Sequence, residues 1–321
     1  MIFEKQIVKA FKGMMHTRCD DTRTVFYFSA SDFPGLKAYA HSFISSAGNT
    51  LKGYFYCYEN PTPGRIVVFD HGFGGGHRAY MKEIEMLCSH GFLVYSYDHT
   101  GCMESEGESP NGLAQSLSDL CDCIGALKAL PELSGYDISV MGHSWGAFSS
   151  MNVAAYHPDI SHVVAISGFI SVESMVGSFF RGIMKPYRRA IMRLERESNT
   201  ELADVSAVKT LSACSAKVLL IYSDNDTLCR KNPHYDTLYA ALSGKENIKF
   251  ILTHEKGHNP NYTSDAVIYL AEFFKKRARL AKKKLLGDPE VCALLVGEYD
   301  WHRMTEQDPE VWAEIFRTLD S

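Results

Sequence analysis

No apolar run in this 321-residue chain reaches the roughly 18 residues that a membrane-spanning helix needs. The opening stretch, MIFEKQIVKAFKGMMHTRCD, has charges scattered through it and lacks the unbroken apolar core of a secretory signal, so no signal peptide is expected. Charge of one sign is also lacking. The net charge of -5, with 22% of residues charged, argues for no nucleic-acid partner. Cysteine spacing of the metal or redox kind is absent too. The nine cysteines (Cys19, Cys57, Cys88, Cys102, Cys121, Cys123, Cys214, Cys229 and Cys292) are odd in number and dispersed. Their one close pair, Cys121-x-Cys123, is a residue too tight for a CxxC site. Reduced thiols, a cytoplasmic location and no zinc or other metal site are therefore expected.

What is present is an ordinary globular composition, 45% apolar, with length for one large domain plus appendages. Residues 39–59 read as two strands joined by a turn at Gly48-Asn49. RIVVFDHG, FLVYSYD, DISVMGHS, HVVAIS, KVLLIYSD and IKFIL follow as strands, and helical patterns fall between most of them. That alternation predicts an α/β fold with a doubly wound, mostly parallel sheet, and the opening hairpin extends one edge antiparallel. Two regions break the rhythm. Residues 170–210 form a helical, amphipathic insertion broken near Pro186. The tail carries a basic run (Lys275, Lys276, Arg277, Arg279, Lys282, Lys283, Lys284), read as a solvated helix end, and then two Asp-Pro-Glu-Val starts at Asp288 and Asp308. Asp as N-cap with Pro at the first helical position marks two terminal helices. The expected organisation is an N-terminal segment 1–34, a main domain 35–277 with an insertion 170–210, and a helical extension 278–321. The apolar stripes of the extension must be buried on the core, over the pocket, or in a homodimer.

Gly142-His143-Ser144-Trp145-Gly146 is G-x-S-x-G at a strand-to-helix junction. Such a turn is sharp enough to strain the serine and to require small neighbours two positions away. It holds the hydroxyl out at the strand end, beside a helix N-terminus. A serine needs a base, and the base an orienting acid. Asp224 and Asp226 lie just past one later strand, His254 and His258 just past another, all at the same predicted sheet edge. Asp226 is preferred because it lies deeper in its loop. His258 is preferred for the flexible approach that Gly257 gives; Asp224 and His254 are the alternatives. The Trp145 and Phe73 amides are the expected oxyanion donors, with Gly74, Gly75 and Gly76 leaving the Phe73 loop open.

In these pieces the chain resembles the α/β-hydrolase superfamily, esterase or serine-aminopeptidase-like with a cap insertion. The matching residues are His71-Gly72-Phe73-Gly74-Gly75, Asp98-His99-Thr100-Gly101 leading to Ser105, Gly142 to Gly146, Asp226 and Gly257-His258, in family order. Thr100 and Met103 stand where the family usually has an arginine and a second glycine, which bears on the shape of that active-site wall. The resemblance implies a capped serine hydrolase without metal or organic cofactor. It would cleave a carboxylic ester, thioester or amide through an acyl-enzyme on Ser144; acyl transfer or peptide cleavage by the same triad is the alternative. Cap residues Phe179, Phe180, Ile183, Met184, Tyr187, Ile191 and Met192 suggest a small-molecule substrate with an apolar or aromatic acyl group. Two other readings are weaker. A nicotinamide-dependent oxidoreductase would use the Gly72–Gly76 loop and Asp98, but His77 occupies its third glycine position. A non-catalytic binding module leaves the Ser-Asp-His set without a use.

Overall fold

The protein, described here from a computed structural model, is seen at residues 3–20, 22–25 and 27–321. Eight strands form one sheet: β1 (Lys37–Ile44), β2 (Thr50–Cys57), β3 (Arg65–Asp70), β4 (Leu93–Tyr97), β5 (Asp137–His143), β6 (His162–Ile166), β7 (Lys217–Ser223) and β8 (Ile248–Thr253). Their order is β1-β2-β4-β3-β5-β6-β7-β8. The hairpin pairs antiparallel with itself and with β4, and every other pairing is parallel. Parallel strands end together. Asp70 at the end of β3 therefore sits in register with Gly142 near the end of β5, and the loops after β3, β5, β7 and β8 share one rim.

The helices are α1 (Glu4–Met15), α2 (Met81–Ser89), α3 (Gln115–Lys128), α4 (Trp145–Asn152), α5 (Val172–Phe179), α6 (Arg188–Ser198), α7 (Ala207–Ala213), α8 (Asp236–Leu242), α9 (Ser264–Lys282), α10 (Pro289–Gly297), α11 (Trp301–Met304) and α12 (Pro309–Leu319). Alternation along the strands sorts them into two layers. Ile66 and Val68 of β3 face a core shared with Leu117, Ile124, Phe148 and Leu238. Val67 and Phe69 face the opposite layer, with Ile84 and Leu87 of α2 and Trp312, Ile315 and Leu319 of α12. The terminal stripe thus packs on the chain's own sheet. Both Asp-Pro starts are capped as read: the Asp288 side chain accepts from Glu290 N–H, and Asp308 from Glu310 and Val311 N–H. A third short helix, α11, capped by Asp300, had no sequence reading. The last core helix, α9, continues through residue 277 to Lys282 and carries most of the basic run on its exposed end.

The insertion between β6 and β7 holds α5, a 3-10 turn over Gly182–Tyr187 that contains Pro186, α6, and a further short turn before α7. Of its apolar stripe, Phe180, Ile191 and Met192 are buried in the core. Ile183 instead projects into solvent, 92% exposed. No helix among the described residues is long and apolar enough to cross a membrane.

Candidate active site

Ser144 has φ 56° and ψ -106°, a left-handed conformation that a non-glycine residue adopts only when its surroundings enforce it. The two glycines explain the enforcement. A Cβ on Gly142 would overlap the Gly146 carbonyl, and one on Gly146 would overlap the Asp70 carbonyl. Ser144 is pinned by its N–H to the Ile166 carbonyl (2.8 Å), and its own carbonyl accepts from Phe148 N–H (3.1 Å) as α4 begins. Its side chain is left half-exposed at the helix N-terminus.

The loop after β7 supplies two acids and the loop after β8 two histidines, and they pair in order. His258 Nδ1 donates to Asp226 Oδ2 at 2.7 Å, with Asp226 buried and His258 half-buried. A carboxylate only accepts, so the His258 proton sits on Nδ1 and Nε2 is left as the basic nitrogen. Asp226 Oδ1 takes two more donors, Leu228 N–H at 2.8 Å and Cys229 N–H at 3.1 Å. Burial works against the Asp226 charge, but His258 and these amides outweigh it and hold its carboxyl below the usual range. Asp224 and His254 form a separate pair at 2.5 Å. It stands in solvent, with the His254 side chain 80% exposed.

A hydrogen-bond chain of fixed polarity links this base to the rest of the rim. His143 Nε2 lies 2.8 Å from the His258 carbonyl, so Nε2 carries the proton. Nδ1 then accepts from Tyr80 Oη (2.9 Å), which itself accepts from Gly72 N–H (3.1 Å). Burial pushes His143 down to about 3, so the ring stays neutral in this role. The loop after β3, the elbow and the loop after β8 are thereby tied to one another.

Phe73 and Trp145 lie together, ring centroids 5.1 Å apart and edge to face. Among the described residues neither backbone N–H has an acceptor within the chain, leaving both available to a ligand oxygen. The Trp145 indole donates to the Leu113 carbonyl at 2.7 Å.

Beneath the elbow lies a buried charge network that had no sequence reading. His99 sits between Asp70 (Nε2 to Oδ1, 2.8 Å) and Asp119 (Nδ1 to Oδ2, 3.2 Å). The Asp70 approach is close but lacks hydrogen-bond alignment. Burial disfavours the imidazolium, yet the two carboxylates outweigh it and raise His99 to about 10. The cation lies 4.7 Å from the Trp145 ring. The Ser149 hydroxyl donates to Asp70, so α4 is tied to the end of β3. His71, neutral and pushed down to about 3 by burial, donates from Nδ1 to the Gly72 carbonyl (2.8 Å) and accepts His99 N–H at Nε2 (3.0 Å). Its one sequence signal is Asp119, a carboxylate among Leu117, Leu120 and Ile124 on the buried face of α3.

Asp98, the acid of the nicotinamide reading, is turned inward. It accepts from His77 N–H (2.9 Å) and Nδ1 (2.8 Å) and from Glu104 N–H (3.1 Å), and no edge is left for a ribose. His77 is itself fully buried where that reading needs glycine.

A family model described as serine aminopeptidase, S33, matches residues 61–248, more than half of the chain. A monoglyceride lipase homolog of Monkeypox virus is 27% identical over 133 residues, 40% of this chain and 48% of that protein. An epoxide hydrolase of Caballeronia sordidicola is 30% identical over 96 residues, 30% of this chain and 28% of that protein. The chain therefore spans less than half the length of these curated relatives. Among solved structures, an esterase of Pyrococcus furiosus has the same fold, with a TM-score of 0.60 at 18% identity, over 84% of this chain and 98% of that one. With its sheet order, capped rim and matched core, the chain belongs to the serine aminopeptidase S33-like family of α/β hydrolases.

Proposed function

We propose that the protein is a serine hydrolase that cleaves a carboxylic ester, thioester or amide through an acyl-enzyme on Ser144. The observation that carries this reading is the pairing of buried Asp226 with half-buried His258 on the same rim as the strained Ser144 elbow. Ser144 Oγ attacks the substrate carbonyl while His258 Nε2 takes its proton. Asp226 keeps the proton on Nδ1 and stabilises the imidazolium that forms. The Phe73 and Trp145 amides take the developing oxyanion, where losing one donor typically costs roughly 2.7–4 kcal/mol of transition-state stabilisation. His258 returns the proton to the leaving group, and water repeats the sequence on the acyl-enzyme.

The substrate class argued for is a small ester with an apolar or aromatic acyl group. The lipase and esterase names of the relatives support it. Ser144→Ala is expected to lower turnover of p-nitrophenyl butyrate by roughly 10⁶-fold and abolish fluorophosphonate labelling, with the melting curve unchanged. Labelling that survives the substitution would refute the nucleophile, and a wild type that takes no label would favour a non-catalytic module. A chain-length series of esters, thioesters and aminoacyl amides separates esterase from peptidase, and added alcohol acceptors reveal acyl transfer.

A further inference from the structure

The segment between α1 and β1 lies outside the matched family region, and it reaches the active-site wall. α1 rests on the cap, with the Phe11 and Phe180 ring centroids 6.1 Å apart. Past Met15 the chain pairs with the loop after Asp98. Cys19 N–H donates to the Gly101 carbonyl (2.9 Å) and Met103 N–H donates to the Cys19 carbonyl (3.0 Å). The Arg18 guanidinium fastens the pairing by donating to the Met103 carbonyl (2.5 Å) and the Gly107 carbonyl (2.7 Å).

These bonds make Cys19 and Cys102 direct partners in a parallel bridge. Neighbouring strands lie about 4.7–4.9 Å apart, and directly paired side chains project from the same face. That spacing falls inside the Cα separation of about 4.4–6.8 Å that a disulfide needs. Both thiols are free and perturb one another electrostatically, and the Cys19 thiol donates to the Thr17 carbonyl at 3.8 Å. The two thiols are unequal. Cys19 is half-exposed, and the Cys102 thiol, with the Gly74 amide and Arg18, draws its pKa down against the effect of burial. Cys102 is fully buried and its thiol is pushed up. A half-exposed thiol with a lowered pKa beside a buried partner is the arrangement in which one attacks an oxidant and the other resolves the product.

We propose that Cys19 and Cys102 are a redox-modification site, which a hydroperoxide converts to a disulfide that ties the N-terminal segment to the active-site wall. The Cys19 thiolate attacks a peroxide oxygen, the O–O bond breaks, and the alkoxide or hydroxide leaves and takes up a proton. Cys19 is left as a sulfenic acid. The Cys102 sulfur then attacks the Cys19 sulfur, the S–O bond breaks, and hydroxide leaves with the Cys102 proton as water. Two thiols and one hydroperoxide give one disulfide, one alcohol or water, and one water. The bond locks residue 19 onto residue 102. Through α1 it also restrains the cap.

The test treats the intact protein with one equivalent of hydrogen peroxide, alkylates without reductant, and maps the peptides by mass. The expected result is a Cys19–Cys102 cross-linked peptide lacking two hydrogens and reversed by dithiothreitol, with the other cysteines alkylated. Recovery of both thiols alkylated, of Cys19 as a sulfinic acid, or of any other cross-link would overturn the proposal. Cys102→Ala should accumulate a dimedone-reactive sulfenic acid at Cys19. Should that buried substitution fail to fold, the wild-type map decides alone. A second arm, resting on the hydrolase reading, compares kcat/KM for a bulky ester. It should fall several-fold on oxidation and recover with reductant, and Cys19→Ser should lose that response. The peptide map needs no hydrolysis, so an inactive protein that still cross-links sinks the hydrolase reading only.

Discussion

Asp224 and Asp226 stand two residues apart, each holding a histidine, and burial separates their roles. The Asp224–His254 pair lies in solvent, where screening leaves such a contact little to do. Asp226 is enclosed, holds three donors, and faces an imidazole whose other nitrogen has no hydrogen-bond partner among the described residues. Asp226→Asn is therefore expected to lower kcat by roughly 10⁴-fold, because the amide no longer fixes the productive His258 tautomer. Asp224→Asn should stay near wild type; equal losses in the two variants, measured on one ester, would end the assignment. Chain order and the strand–loop rhythm made both pairs legible in the sequence. Preferring Asp226 rested only on its depth in the loop, since burial depends on what packs above it. Asp70, His71, His99 and Asp119 were illegible as a network, because residues from β3, the loop after β4, and α3 meet only once the sheet has formed. His143 was quoted as part of the motif, but its bond to the His258 carbonyl spans 115 residues and left no local trace.

Besides its apolar packing, the cap element is held to the elbow by a buried carboxyl. Glu195 of α6 accepts Leu113 N–H at 2.8 Å, and the Leu113 carbonyl takes the Trp145 indole, so cap and elbow share one residue. Among the described residues the second Glu195 oxygen makes no well-aligned hydrogen bond. Burial raises this carboxyl to about 7 from 4.5. The folded state thus holds a proton that the unfolded chain releases between these values. Its contribution is fully present below pH 4.5 and is lost as pH rises through about 7. His71 and His143, both lowered to about 3, act in the opposite sense, since their contribution is present above 6.5 and fades as pH falls toward 3. Glu195→Gln removes only the first slope. The difference in Tm, variant minus wild type, should grow as pH rises from about 5 to about 8.5. A difference that is flat or shrinks in thermal scans would show that Glu195 stays ionised throughout. The insertion and its break at Pro186 could be read from the sequence. Which face of α6 turned inward could not, because Glu195 reads locally as one more charge in a charged helix.

At the scale of the molecule, the C-terminal helix is part of the hydrolase body. α12 shares the second core layer with α2, and its far end is held by Asp320, which accepts from Arg65 (3.1 Å) and His90 (2.8 Å). Its near end reaches the active site. Lys256, two residues before His258, donates to the capping Asp308 at 2.8 Å, and Asp308 N–H donates to the Asn261 carbonyl at 2.8 Å. The apolar stripe of α12 announced in the sequence that it must be buried, and the Asp-Pro start announced where it begins. Its destination depends on Leu219 and Ile221 of β7, some ninety residues upstream, and no local pattern encodes that meeting. Trp312 is the largest side chain at this contact, 1% exposed, with its indole N–H on Gln307 (2.8 Å). Trp312→Ala should cost about 3–5 kcal/mol, and Trp312→Phe should lose much less by keeping most of the packing. Because α12 is built into the sheet and the His258 loop, urea unfolding of Trp312→Ala should remain one transition, with loss of ester hydrolysis coinciding with loss of helix signal. A separate early transition in which α12 detaches while hydrolysis persists would mean that this helix only decorates a self-sufficient core.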